Sequence, residues 1–524
     1  MRWSATIVSV GWVAFAIAAF VSWMAPFAPR VHDEFSYLLA ADTLLHGRLA
    51  NPTPEIWQPF QSFHILLSPA YVSKYPLGHG MFVAVGWLVL GLPIAGCWLA
   101  AGVCAASTTW MLAGLTSRRW AVAGGLLVAC HPAMQSMWSQ SLLSGWLTAA
   151  GSTLLTGSVL RLRSRFRGSA ALAGGVGVAL LALTRPFEGL VATCVSSLLL
   201  WMLWQGRELT FKWQSLVRIV PVAAVPVSVA LALIALQSYT VSGTLTGLPY
   251  RLHEEQYSAA PLFVFGQPRT PMLEATGEVP QTMIHFQQGW ALDSYRERPG
   301  LWGWLLGLVQ AIHTIWGFWV LLAMVPVLSV GWWSRFRVPR FLLAAAAVQI
   351  MLSAAVCWVF PHYLSPLLPW LVGLTILGLR RIFRIFVRAQ LVGLNCPQRF
   401  VGTILAVQVV LLLISANRVH RDPERMWARQ RAEIVADLEA RGGEHLVLVH
   451  YSPQHNVHRE WVYNLSDLDR SPVLWARGER DDWNRQLMTR YAHQRHIWRI
   501  DADNDQPQPQ LLSSPTTVAT THVP

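Results

Sequence analysis

Four short stretches of the chain carry side chains able to do chemistry at a charged leaving group. The first is His32-Asp33-Glu34-Phe35-Ser36-Tyr37, two adjacent carboxylates heading an apolar run. A carboxylate held at the edge of a site can take the proton of a hydroxyl as a general base. Asp33 is the candidate base and Glu34 its catalytic neighbour. The structural alternative is that Asp33 is a helix N-cap and Glu34 a first-turn acid favoured by the dipole. The second stretch is Ser73-Lys74-Tyr75-Pro76-Leu77-Gly78-His79-Gly80. There Lys74, beside a Pro/Gly turn, would meet a phosphate as a point charge, or else snorkel at an interface. The third, Leu183-Thr184-Arg185-Pro186-Phe187-Glu188, puts Arg185 at the end of an apolar run. An ion at such a place is costly and points to function, although Arg185 and Glu188 could equally be a structural i, i+3 pair. The fourth is Pro361-His362-Tyr363. Lys74 and Arg185 are the candidate phosphate contacts. Tyr37, Tyr75, His79, Glu188, His362 and Tyr363 are candidates to line the same site.

The elements that would position these residues are membrane spans. Of the 524 residues 53% are hydrophobic and 13% charged, with mean hydropathy +0.38; soluble proteins carry about 25% charge. The apolar sequence comes in blocks of about twenty residues, the length that crosses a hydrocarbon core. The first, near 5–24, reads as an uncleaved signal anchor. The net charge of +13 comes from short clusters between blocks, which argues for the positive-inside bias and against nucleic acid. These clusters are Arg118–Arg119; Arg161, Arg163, Arg165 and Arg167; Arg207, Lys212 and Arg218; Arg335, Arg337 and Arg340; and Arg380, Arg381, Arg384, Arg388 and Arg399, with Glu208 the one acid among them. The acid-richer loops 26–80 and 241–300 therefore face out.

Threading these markers predicts eleven crossings, near 5–25, 94–116, 120–138, 141–160, 169–185, 189–205, 217–239, 303–330, 341–360, 364–380 and 400–417. The N-terminus is then cytoplasmic and the tail periplasmic, as in a multi-pass bacterial inner-membrane protein. Residues 81–92 are apolar but too short to span and are expected to be re-entrant or interfacial. Phe35, Leu38, Leu39 and Leu45 share roughly one helical face, so a surface-lying amphipathic helix is expected there.

From residue 418 the composition changes. A helix over 423–441, strands at 446–451, 473–476 and 496–500 and a helix at 481–491 predict a small α/β domain spanning 418–501. Residues 502–524, rich in Gln, Pro, Ser and Thr, are expected to be disordered. His450, His455 and His458 match no standard zinc spacing, and the six cysteines sit in or beside apolar segments as small hydrophobes. No P-loop, GxSxG or HExxH arrangement is present. No metal site and no cofactor is assigned.

The polytopic layout resembles the GT-C membrane glycosyltransferases, with Asp33-Glu34 opening the first outer loop and Lys74-Tyr75-Pro76-Leu77-Gly78 closing it. The protein O-mannosyltransferases (glycosyltransferase family 39) and the lipid A aminoarabinose transferases belong there. The likeness is strongest over 1–200, and close relatives often have two prolines where this chain has Tyr75-Pro76-Leu77. The resemblance implies that 1–417 form a glycosyltransferase domain. The donor it implies is a polyprenyl-phosphate sugar and the acceptor a lipid, glycan or protein, with Asp33 as base and Lys74 on the donor phosphate. Inversion at the anomeric carbon is expected, because one base without a covalent nucleophile suffices. Two other classes fit the composition: a transporter or lipid flippase, against which stands the placing of the ionisable residues at outer helix ends rather than the midplane, and a non-catalytic envelope assembly protein acting through its tail.

Overall fold

In hydrocarbon every backbone N–H and C=O must bond within its own segment, so uncharged apolar runs become helices. The computed structural model describes residues 3–162, 167–205, 216–297, 302, 305–314, 316–317, 337–388 and 397–515. Its first helix, α1 (Trp3–Met24), is followed by α2 (His32–Leu45), a two-stranded hairpin of β1 (Ile65–Leu66) and β2 (Val72–Ser73), α3 (Leu77–Leu90) and α4 (Ala95–Leu112). Then come α5 (Arg118–Ala129), α6 (Pro132–Met137), α7 (Gly145–Leu162), α8 (Gly168–Thr184), α9 (Pro186–Gln205), α10 (Leu216–Ser242) and α11 (Pro249–Tyr257). Three more long helices, Arg337–Ser353, Leu368–Arg388 and Pro397–His420, follow among the described residues, after a shorter apolar helix at Leu305–Thr314. Among the described residues four helices are long and apolar enough to cross a bilayer: Trp3–Met24, Ala95–Leu112, Val217–Ser242 and Arg399–His420. Trp12, Trp23, Val217 and Val410 stand exposed on three of them, as lipid-facing side chains must. Built from Gly, Ala, Cys and Thr, α4 is instead mostly buried.

The expected span 120–138 is two helices. Proline has no N–H to continue a helix, so the chain breaks at Cys130-His131-Pro132, and His131 Nδ1 caps α6 by accepting from the Met134 amide at 3.4 Å. Most of the expected span 303–330 lies outside the described residues.

The fourteen residues of α3 cover about 21 Å at about 1.5 Å each, short of the ~30 Å core. Both its ends touch the side opposite the arginine clusters. Gly78 abuts Leu183 near the end of α8, and Gly86 abuts Gly96 at the start of α4. That placement supports an interfacial helix. A Cβ on Gly86 would sit 2.1 Å from the Gly96 backbone nitrogen, so the two helices must part to admit one. Gly86→Ala is expected to destabilise the fold by about 1–3 kcal/mol, read as a lower melting temperature in detergent.

Two expectations fail here. The helix α2 is not amphipathic: His32 and every residue from Glu34 to Thr43 are buried. Its second covering is the tail. Strands β3 (Glu444–His450), β4 (Val473–Arg477), β5 (Arg495–Asp501) and β6 (Gln510–Ser513) form one sheet in the order β4-β3-β5-β6, with β3 parallel to β4 and β5 and the last pair antiparallel. Helices Met426–Arg441 and Asp481–Tyr491 flank it. The sheet's core runs on without interruption into Phe35 and Leu39 of α2 and into Phe60, Ile65, Leu67 and Tyr71 of the loop after it. The second failure is β6, which lies in the stretch expected to be disordered. It covers the edge of β5 that would otherwise present unpaired backbone. Residues 516–524 lie outside the described residues.

Candidate active site

The N-terminus of α2 decides which carboxylate is available. Val31, not Asp33, is the N-cap residue, and its apolar side chain accepts nothing. Glu34 fills that role instead. Its Oε2 accepts the backbone N–H groups of Arg30 (2.7 Å) and Val31 (2.9 Å), and its Oε1 that of Leu142 (2.9 Å). Fully buried, its carboxyl is pushed above the usual range by desolvation, against the pull of those three amides. Glu34 thus fastens α2 to the 138–144 loop. Asp33, one residue earlier, turns the other way. Its Oδ1 accepts the Tyr75 hydroxyl at 2.5 Å, and its Oδ2 lies 4.0 Å from His64 Nε2.

The β1–β2 hairpin sets Tyr75 and Lys74 against α2. Ile65 pairs with Ser73, and the Lys74 amide donates to the His64 carbonyl at 3.1 Å. The Ser36 hydroxyl donates to that same carbonyl (2.7 Å) and shares a 2.7 Å contact with the Ser73 hydroxyl. Tyr75 then stacks on Tyr37, ring centroids 4.9 Å apart. Burial and the Asp33 charge hold the Tyr75 phenol well above its usual range, so it stays a donor to Asp33.

Lys74 and Arg185 face one cavity. Its volume is about 320 Å³, and Tyr75, Glu188, Tyr250 and Tyr363 share its wall with apolar Phe187, Ile234, Leu248 and Leu262. Lys74 Nζ lies 3.3 Å from Glu254 Oε1 and 5.0 Å from the Tyr250 ring, both on α11. Arg185 sits at the junction of α8 and α9. Its guanidinium lies 4.0 Å above the Tyr363 ring and 3.9 Å from Glu188. Of the residues picked from sequence, Lys74, Tyr75, Arg185, Glu188 and Tyr363 line the cavity, and Asp33 reaches it through Tyr75. Tyr37 and His79 are buried behind Tyr75, in edge contact at 4.7 Å. His362 is buried edge-on against Tyr363 and supports the wall.

Sequence reasoning missed His64, Tyr250, His253 and Glu254. His64 is a non-glycine residue at φ 61°, which no local pattern announces. His32, His64 and His253 are all held well below the usual histidine range, chiefly by burial, with Lys74 adding to the effect on the last two. Burial thus disfavours the charged imidazole at all three, and of these His64 (4.0 Å) and His32 lie beside Asp33. The tail histidines are dispersed: His455 pairs with Asp503 at 2.7 Å, while His458 packs against Trp290. Among the described residues no group of three or more His, Cys, Asp or Glu is placed to hold a metal ion.

No protein-family model matches the chain, and no curated protein matches its sequence. Solved structures match in three dimensions. ArnT from Cupriavidus metallidurans, an aminoarabinose transferase, superposes in its undecaprenyl-phosphate-bound form with TM-score 0.53 at 14% identity, over 94% of this chain and 92% of that one. Its apo form gives 0.52 at 14% identity, over 94% and 93%. The Archaeoglobus fulgidus oligosaccharyltransferase, in a complex with Zn and sulfate, gives 0.50 at 10% identity, over 85% of this chain and 60% of that one. The chain shares the overall fold of these structures, which the GT-C membrane glycosyltransferases adopt; among the described residues it is mostly helical, with two small sheets.

Proposed function

We propose that the chain is a membrane glycosyltransferase that moves a sugar from a polyprenyl phosphate to a hydroxyl-bearing lipid, glycan or protein. The observation that carries this reading is one cavity: two cations from separate segments, the buried Lys74 and the partly buried Arg185, open onto it, and the wall residue Tyr75 holds Asp33. In the reaction Asp33 takes the acceptor's hydroxyl proton as that oxygen attacks the anomeric carbon. The bond from that carbon to the phosphate oxygen breaks and its electron pair stays on the phosphate. The leaving group gains negative charge as it departs, and cations fixed in a dry pocket stabilise that charge more in the transition state than in the ground state. A single displacement inverts the anomeric centre. Glu254 and Glu188 keep the two cations compensated before the donor arrives, and Glu34 positions the helix that bears the base.

The mostly apolar wall suits a prenyl chain. Ala182 of α8 and Ile234 of α10 line the cavity, and one and two turns further along the same faces Val178 and Val227 line a second apolar cleft of about 300 Å³. The layout proposed with this reaction keeps eleven crossings of a bacterial inner membrane, the N-terminus in the cytoplasm, and the site and the 418–501 domain in the periplasm. Nucleotide sugars are absent there, so a lipid-linked donor is the usable one.

Transfer from a radiolabelled undecaprenyl-phosphate sugar to extracted envelope acceptors tests the proposal. Lys74→Met is expected to lower kcat/KM for the donor roughly 100-fold, the effect of losing one charge-assisted contact of about 2–3 kcal/mol. Lys74→Arg recovers part of it. No transfer to any envelope fraction, with unchanged glycolipid and surface-glycan masses in a deletion strain, would overturn the reading.

A further inference from the structure

We infer that His64 is a positioning residue for Asp33, completing a Tyr75–Asp33–His64 arrangement that fixes both oxygens of the base. The inference rests on the reading of Asp33 given above and extends it to a residue with no sequence signature. Its first support is the backbone. His64 has φ 61°, a left-handed conformation that side-chain-bearing residues adopt rarely and that persists only where the surroundings enforce it. Those surroundings are the site itself: the His64 carbonyl is bonded by Ser36, one turn after Asp33, and by the Lys74 amide. The residue is therefore tied at once to the helix carrying the base and to the strand end carrying the phosphate contact.

Its second support is where the ring lies. Nε2 is 4.0 Å from Asp33 Oδ2, the carboxylate oxygen that the Tyr75 hydroxyl does not bond. Catalytic contacts are often this loose before substrate closes the site. The ring also faces Tyr75 from the chain after β2 (5.8 Å), His253 from α11 (6.0 Å) and His32 from α2 (6.0 Å), with the Lys74 charge nearby. His64 Nδ1 is buried and has no hydrogen-bond partner among the described residues, so nothing else there sets the ring's tautomer. With the proton on Nε2, the neutral imidazole is placed to donate to Oδ2 once substrate draws the 4.0 Å gap closed. That favours the ionised carboxylate and aims its free lone pair at the acceptor hydroxyl, the orienting role a third group plays in other base assemblies.

The strained backbone supplies a clean test, because glycine adopts this φ freely and asparagine tolerates it. His64→Gly is expected to lower kcat by about 10–100-fold while leaving donor KM within about twofold. The acid limb of its kcat profile moves to higher pH, and added imidazole restores part of the rate. His64→Asn, which keeps an N–H donor, retains more activity than the glycine variant. Asp33→Asn, assayed alongside, gains nothing from imidazole. Wild-type kcat and acid limb in His64→Gly, or a loss in kcat and KM together with no response to imidazole, would overturn the inference. Activity in Asp33→Asn would instead sink the proposal beneath it.

Discussion

Asp33→Asn is expected to cut sugar transfer by about 10²–10⁴-fold, the range one general base supplies, while the protein folds as before. The substitution keeps shape and keeps an oxygen for the Tyr75 hydroxyl that now reaches Oδ1 at 2.5 Å. What it removes is the anionic lone pair. Donor KM should change little, because Lys74 and Arg185 still hold the phosphate. The neighbouring carboxylate provides the control. Glu34 accepts three backbone amides, so Glu34→Gln presents an amide N–H where an acceptor is needed. A buried donor left unsatisfied costs about 1–3 kcal/mol. Glu34→Gln should therefore lower the melting temperature more than it lowers kcat, and Asp33→Asn the reverse. Both effects are read by pairing thermal unfolding in detergent with single-turnover transfer. Full activity in Asp33→Asn would exclude it as the base and leave a transporter or assembly role in better standing.

How much of this was legible in the sequence depends on range. Apolar blocks are visible because the membrane imposes their length, and the tail strands are visible because short Val/Leu/Ile/Trp runs alternate with helical ones. Lys74 and Arg185 stood out because an ion beside apolar sequence is costly wherever it lies. That they share a cavity was not visible, since it takes α8, α9, α10 and the segment 248–262 to enclose it. The partner of Lys74, Glu254, is 180 residues away and looked like any other loop acid. Of the two adjacent acids, the pattern could not say which one the start of α2 takes up; Glu34 turns back onto the Arg30 and Val31 amides and is held there by a distant one, Leu142. The period of α2 misled for a similar reason. Its polar positions, Ser36 and Asp42 among them, are buried by partners far along the chain rather than by water. The strand β6 was hidden by Pro507, Pro509 and Pro515, which flank four residues whose only call to order is an unpaired sheet edge.

Removing the tail, residues 421–524, is expected to abolish transfer as completely as removing the base, although among the described residues no tail side chain lines the cavity that Lys74 and Arg185 share. The argument is one of burial. Phe35, Leu39, Phe60, Ile65, Leu67 and Tyr71 share a core with the α/β domain. At about 1.5–3 kcal/mol for each large apolar side chain returned to water, their exposure costs on the order of 10 kcal/mol, comparable with the whole stability of a typical domain. Asp42 would also lose the Ser466 amide (2.8 Å) and hydroxyl (2.5 Å). With its outer cover gone, α2 could not hold Asp33 against Tyr75. A milder cut tests the same link. Arg477, fully buried in β4, binds Glu460 Oε2 (2.6 Å), the Gln61 carbonyl (3.0 Å) and the Thr282 hydroxyl (2.6 Å), joining the tail to the segments after α2 and after α11. Arg477→Met strands Glu460 and should destabilise the outer assembly by about 3–5 kcal/mol, lowering the melting temperature and kcat together. A tail-deleted protein with wild-type turnover would refute the shared core. If the tail were the working part of an assembly protein, its deletion would remove function while Asp33→Asn left it intact. If the tail is a clamp on a catalytic helix, both changes abolish transfer, and only the deletion also loosens α2 and the loop around it, as amide hydrogen exchange would register.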